Sequence, residues 1–163
     1  METTLKSFAA YPAEPVDIAE WEDLLVRFEI MPRALRNTLE RVAAEGAARE
    51  ALLKLLAREE WAVETFGALR EGNAASAPPA ETEVATDPGG DLEDLAVRIA
   101  QRRAKNFAQV QRRGLEVWGW SAMLGEHEKV TTFQLLRWLV AGDVAALAAL
   151  RGAARADSGA GAC

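Results

Sequence analysis

Residues 133–150 read FQLLRWLVAGDVAALAAL, and only Gln134, Arg137 and Asp143 among them carry polar side chains. A helix that is apolar nearly all round has no wet face, so it is the central helix of a bundle or lies in a subunit interface. Its start is marked too. Thr131, Thr132, Phe133 and Gln134 fit a capping box, with the Thr131 hydroxyl accepting from the Gln134 amide and the Gln134 side chain reaching back. Val130 and Leu135 are placed to form the accompanying hydrophobic staple. A carboxylate at Asp143, in the middle of such a helix, has to be paired, hydrogen-bonded or turned toward a cavity.

The rest of the chain supplies partners for that helix. Val16, Ile18, Trp21, Leu24, Leu25 and Phe28 recur at helical spacing, with Asp17 and Glu20 near the start where the helix dipole favours negative charge. Pro32 predicts a kink, with Leu35, Leu39 and Val42 continuing the stripe and Gly46 as a stop. A second helix is expected over residues 47–69 through Leu52, Leu55, Leu56, Val63, Phe66 and Leu69, with Lys54, Arg58, Glu59 and Glu64 on its wet side. Residues 72–90, GNAASAPPAETEVATDPGG, have no period and form a connection too long for a tight helical turn. Asp91, with Asp94 three residues on, is the N-cap of a third helix that carries Leu92, Leu95, Ile99, Phe107 and Val110 and ends near Gly114. The prediction is an all-α four-helix bundle over residues 1–151, with a long connection between helices 2 and 3 and a flexible tail at 152–163.

Charge and rare residues narrow the chemistry. A net charge of -6 argues against a nucleic-acid-coating protein, which needs a cationic surface. The run containing Arg98, Arg102, Arg103, Lys105, Arg112 and Arg113 holds no acid, and reads as a solvated face or a patch for an anionic partner. A single cysteine, Cys163, allows no intramolecular disulfide and no cysteine zinc site, which points to a reducing compartment. The first residues show no apolar signal region, and no stretch reaches about 18 uninterrupted apolar residues, so a soluble, cytoplasmic protein is expected. The only histidine, His127, sits between acids in GEHEK, where it is a weak general-base candidate or a solvated loop residue. Ser121 lacks nucleophile-elbow surroundings.

Residues 106–151 resemble the C-terminal half of the DinB-like (DinB/YfiT) four-helix bundles. Val130, Thr131 and Thr132 stand where that family opens its last helix with a V-T-L-like segment, and residues 141–147 stand where its A-H-D-x-x-H-x-x-Q pattern follows. LKLLAREE at 53–60, followed by Trp61, resembles the family's L-x-H-L-x-x-x-E segment. The resemblance implies a four-helix bundle binding a divalent metal through three histidines. Carried onto this chain, the ligand positions fall on Leu55, Gly142 and Ala146, none of which is a ligand, and the Trp-Ser pair before helix 2 is replaced by Ala47 and Ala48. Glu60 and Asp143 remain nearby, but two carboxylates do not replace three imidazoles for a transition metal.

The sequence therefore leads to a metal-free binding or interaction module without a cofactor, in the stress-related setting the resemblance implies. It is expected as a homodimer through the last helix, with a small-molecule or protein partner and with neither nucleic acid nor membrane. Two alternatives stand beside it: a metal-dependent or thiol-transferase-type enzyme using carboxylates, and small-ligand binding in the bundle cavity. The pocket candidates are Glu60, Trp61, Glu64, Trp138 and Asp143, beside the small residues Gly142 and Ala146 and the space-filling Leu55. The structural alternative for Asp143 is an ion pair with Arg102 or Arg103. Trp118-Gly119-Trp120 is a candidate recognition surface.

Overall fold

Asp17 opens the first helix by accepting from the Glu20 amide at 2.8 Å, satisfying one of the donors a helix start leaves free. Helix α1 (Ile18–Leu39) then runs through Pro32 without a break, α2 (Glu45–Glu71) follows, and α3 (Leu92–Gln111) comes after the long connection. The computed structural model describes residues 7–42, 45–111 and 114–160. Gly46 is no stop, because it lies in the first turn of α2. Asp91 and Asp94 cap α3 reciprocally, each carboxylate accepting from the other's amide at 2.9 and 3.0 Å. Arg112, Arg113 and Cys163 lie outside the described residues.

A 3-10 turn (Gly114–Gly119) leads into a hairpin that the sequence reading took for loop: β1 (Ser121–Leu124) pairs antiparallel with β2 (Glu128–Thr131), Ala122 opposite Val130. Gly125 turns the chain at φ +63°, a conformation that disfavours a side chain, and His127 stands exposed at the tip. The hairpin delivers the chain into α4 (Thr132–Ala160). The capping box forms as read: the Thr131 hydroxyl accepts from the Gln134 amide at 3.2 Å, and Gln134 Oε1 accepts from the Thr131 amide at 3.0 Å. The Thr131 hydroxyl also donates to the Ala13 carbonyl at 2.5 Å. Thr131→Ala is expected to cost about 1–2 kcal/mol and to lower the melting temperature by roughly 2–6 °C. A thermal melt within 1 °C of wild type would show that neither bond matters.

α4 continues through Gly152 with Ala153 buried, so the flexible tail expected from residue 152 is helical as far as Ala160. By length and composition, Thr132–Ala154 is able to cross a membrane, but 61% of its most apolar stretch is buried inside the fold, as befits a central helix. α4 packs against α1 and α2, and α3 against the other sides of the same two helices, so the order round the bundle is α1, α3, α2, α4. The apolar core falls into two clusters. Trp21, Phe28, Phe66, Phe133 and Leu136 belong to one, and Leu35, Leu52, Leu56, Ile99 and Leu150 to the other. On α2, α3 and α4 the residues between the clusters include buried polar ones: Arg58 and Glu59 on α2, Arg103 and Asn106 on α3, and Asp143, beside Gly142, on α4.

The connection between α2 and α3 is irregular but tied down. Ala85 donates its amide to the Leu53 carbonyl, and Ala75 bridges to Leu124 of the hairpin. Arg49 grips Asp87 through two hydrogen bonds of 2.5 and 2.6 Å, which hold the Asp87 carboxyl down at about 2.

Candidate functional site

The polar layer is built around one guanidinium. Arg103 is buried and uses all five of its N–H donors: Nε and Nη2 donate to Glu59 Oε1, Nη1 and Nη2 to the two oxygens of Asp143 at 2.9 and 2.8 Å, and Nη1 also to the Phe28 carbonyl at 2.6 Å. Its ring-facing side lies 4.3 Å from the Phe28 ring centre. The Phe28 carbonyl is open because of Pro32. Four residues further on, proline has no N–H to offer, so the proline that should weaken α1 supplies the acceptor Arg103 takes. Asn106 closes the layer by donating to the Glu59 carboxylate at 2.9 Å and to its backbone carbonyl at 3.2 Å.

Burial pushes Asp143 up to about 6, against the opposing pull of Arg103. For Arg103, burial alone would favour the neutral form, and Asp143 and Glu59 together reverse that, raising it above its ordinary value. Asp143 therefore sits in a structural pair with Arg103, one of the two arginines named from the sequence. Arg102 is half-buried on the outside of α3. With Gly89, Gly90, Asp94, Arg98 and Lys105 it lines an open groove of about 780 Å³. The basic run is thus split, with Arg103 inward and Arg98 and Lys105 exposed.

The pocket candidates do not converge. Glu60 and Glu64 are exposed and line, with the edge of Trp61 and with Pro79, Glu83 and Val84, a shallow groove of about 340 Å³ between α2 and the long connection. Trp138 and Asp143 lie inside the bundle. The inward acid of helix 2 is Glu59, which the sequence reading passed over for its neighbour. Leu55 and Ala146 are packed in the same apolar cluster. Gly142 leaves no void either, because a Cβ there would overlap Nη1 of Arg58.

Arg58 is the second functional residue the sequence reading missed. It is 6% exposed, and its guanidinium lies 4.6 Å from the Trp138 ring centre. Trp138 meets Trp61 edge-on at 5.4 Å, and Phe8 sits on both, 5.1 Å from Trp138 and 6.0 Å from Trp61. Burial lowers Arg58 from its ordinary value, opposed through space by Glu81, Asp143 and Tyr11, none of which hydrogen-bonds to it. No run or spacing marks Arg58 in the sequence. Its inward direction follows from the rotation of α2, which turns the adjacent Glu59 inward as well. Trp118 packs against Trp21 at 5.9 Å and Trp120 is half-buried, so the WGW segment is partly built into the core.

Among the described residues no group of three or more His, Cys, Asp or Glu side chains is placed to hold a metal ion. The positions onto which the resemblance carries metal ligands do not fit a metal: Leu55, Gly142 and Ala146 offer no donor, a guanidinium lies against Gly142, and Glu59 and Asp143 are committed to Arg103. Comparison with family models, curated proteins and solved structures returned no significant match.

Proposed function

We propose that this chain is a DinB-like helical bundle that works as a metal-independent binding module. The observation that carries the reading is the cation at Gly142. The guanidinium of Arg58 takes the space beside α4 that a metal ligand would need, and its charge repels a metal ion there. The long connection between α2 and α3, and the capped start of α4, are the further features in keeping with that kind of bundle. An enzyme working through carboxylates has little to use, since the two inward acids already serve Arg103. Self-association through α4 would rest on a narrow strip of Val144, Ala148 and Ala149, because the rest of its apolar run is mostly buried within its own chain.

Elemental analysis of purified protein and thermal melts with zinc, nickel or manganese test this reading. A ligand at about a hundredfold over its Kd stabilises the native state by about 2.7 kcal/mol, roughly 5–10 °C for a chain of this size. No such shift and no stoichiometric metal are expected. A bound metal at one per chain, lost in Asp143→Ala, would overturn the proposal.

A further inference from the structure

Among the described residues two arginines are buried, in opposite conditions. Arg103 has every donor used, whereas Arg58, nearly as buried, has no hydrogen-bond partner among the described residues and its charge is opposed through space. A buried guanidinium with free donors is a site waiting for an acceptor. Among the described residues the fully buried polar atoms without a partner are Asn106 Oδ1, Trp118 Nε1 and Thr132 Oγ1, and Arg58 keeps 6% of its surface exposed. The Trp138 ring lies against it, and Trp61 meets Trp138 edge-on to extend that aromatic wall.

A short N-terminal segment covers this place. Phe8, in a one-turn 3-10 helix (Phe8–Ala10), is its buried aromatic anchor. Beyond it the segment is held by Gln134 Nε2 donating to the Tyr11 carbonyl at 3.0 Å, by Thr131 donating to the Ala13 carbonyl, and by the Arg137 guanidinium 5.6 Å from the Tyr11 ring centre. Burial raises Tyr11 against the pull of Arg137 and Arg58, so its hydroxyl keeps its proton.

We propose that Arg58, walled by Trp61 and Trp138 and covered by the Phe8 segment, is a binding site for a small aromatic monocarboxylate. The anion class follows from the guanidinium. A single charge follows from Glu81 and Asp143, whose fields oppose a second negative charge such as that of a phosphate dianion. An aromatic body follows from the walls, where Phe8 itself already demonstrates the fit. This rests on the metal-independent reading above and names its ligand class.

The test titrates benzoate, and its neutral analogue benzamide, into wild type, Phe8→Ala and Phe8→Ala/Arg58→Gln, following tryptophan fluorescence and thermal shift in EDTA and again with added zinc. Phe8→Leu is run alongside as a cover loosened without being emptied. In EDTA, benzoate is expected to bind Phe8→Ala at least about tenfold more tightly than wild type, and the added Arg58→Gln to abolish most of that gain. Benzamide is expected to bind at least about tenfold more weakly than benzoate, a contrast that a merely structural Arg58 would not produce. Equal binding of the two compounds, or an affinity unchanged when Arg58→Gln is added to Phe8→Ala, overturns the proposal. Absence of saturable binding with and without zinc overturns this site alone, whereas benzoate binding that requires zinc overturns the metal-independent reading as well.

Discussion

Arg103→Met is expected to leave the chain largely unfolded at neutral pH and to regain stability as the pH falls. Among the described residues Arg103 is the only hydrogen-bonding cation for Glu59 and Asp143, which are 1% and 0% exposed. Removing one partner of a buried pair costs about 3–5 kcal/mol because the remaining charge stays in low dielectric, and here two carboxylates lose the same cation. A small domain has only about 5–15 kcal/mol in total. The sign of the pH effect follows from Asp143. Its folded value, about 6, lies above that of an unfolded Asp even with Arg103 opposing the effect of burial. Without Arg103 the folded value of Asp143 moves further up, so the native state binds more protons than the unfolded state from about pH 4 upward. Stability contributed by protonated Asp143 is therefore full below about pH 4 and is lost as the pH rises through its folded value. Urea unfolding at about pH 4.5, 6 and 7.5 checks this. Parallel curves for the variant and wild type across that range would sink the argument. Arg103→Lys recovers only part, since an ammonium offers three donors where five bonds are made.

How much of this was legible beforehand depends on the kind of signal. The starts of α3 and α4 are local events, in which Asp91 with Asp94 and Thr131 with Gln134 specify their bonds within four residues, and both form as read. That Asp143 must be paired is also local, because an apolar helix offers a carboxylate no other outcome. The choice between Glu59 and Glu60 is not. Adjacent helical residues point about 100° apart, so a small rotation of α2 decides which enters the core. Arg58 depends on the same rotation and on the missing side chain of Gly142 on another helix. The hairpin escaped because strands of four residues carry too little alternation to be distinguished from loop. The continuation of α4 past Gly152 escaped because an isolated glycine costs only about 1 kcal/mol, which the burial of Ala153 helps to offset.

Replacing the whole ion cluster should have the opposite outcome to breaking it. The triple variant Glu59→Leu, Arg103→Met and Asp143→Leu removes both acids with their cation, and exchanging a buried ionic cluster for apolar groups of similar volume is often neutral or stabilising by about 1–4 kcal/mol. One acceptor is left behind. The Phe28 carbonyl loses Arg103 and cannot turn to residue 32, because Pro32 has no N–H, and an unsatisfied buried carbonyl costs about 1–3 kcal/mol. The triple variant is therefore expected within about 2 kcal/mol of wild type, far above Arg103→Met. Adding Pro32→Ala restores an amide to Phe28, and should stabilise the triple variant by at least about 1 kcal/mol more than it stabilises wild type, where Arg103 already fills that role. Denaturant midpoints for the four proteins of this cycle give the coupling directly. If Pro32→Ala has the same effect in both backgrounds, the proline is not what opens the Phe28 carbonyl to Arg103, and the link between Pro32 and the polar layer falls.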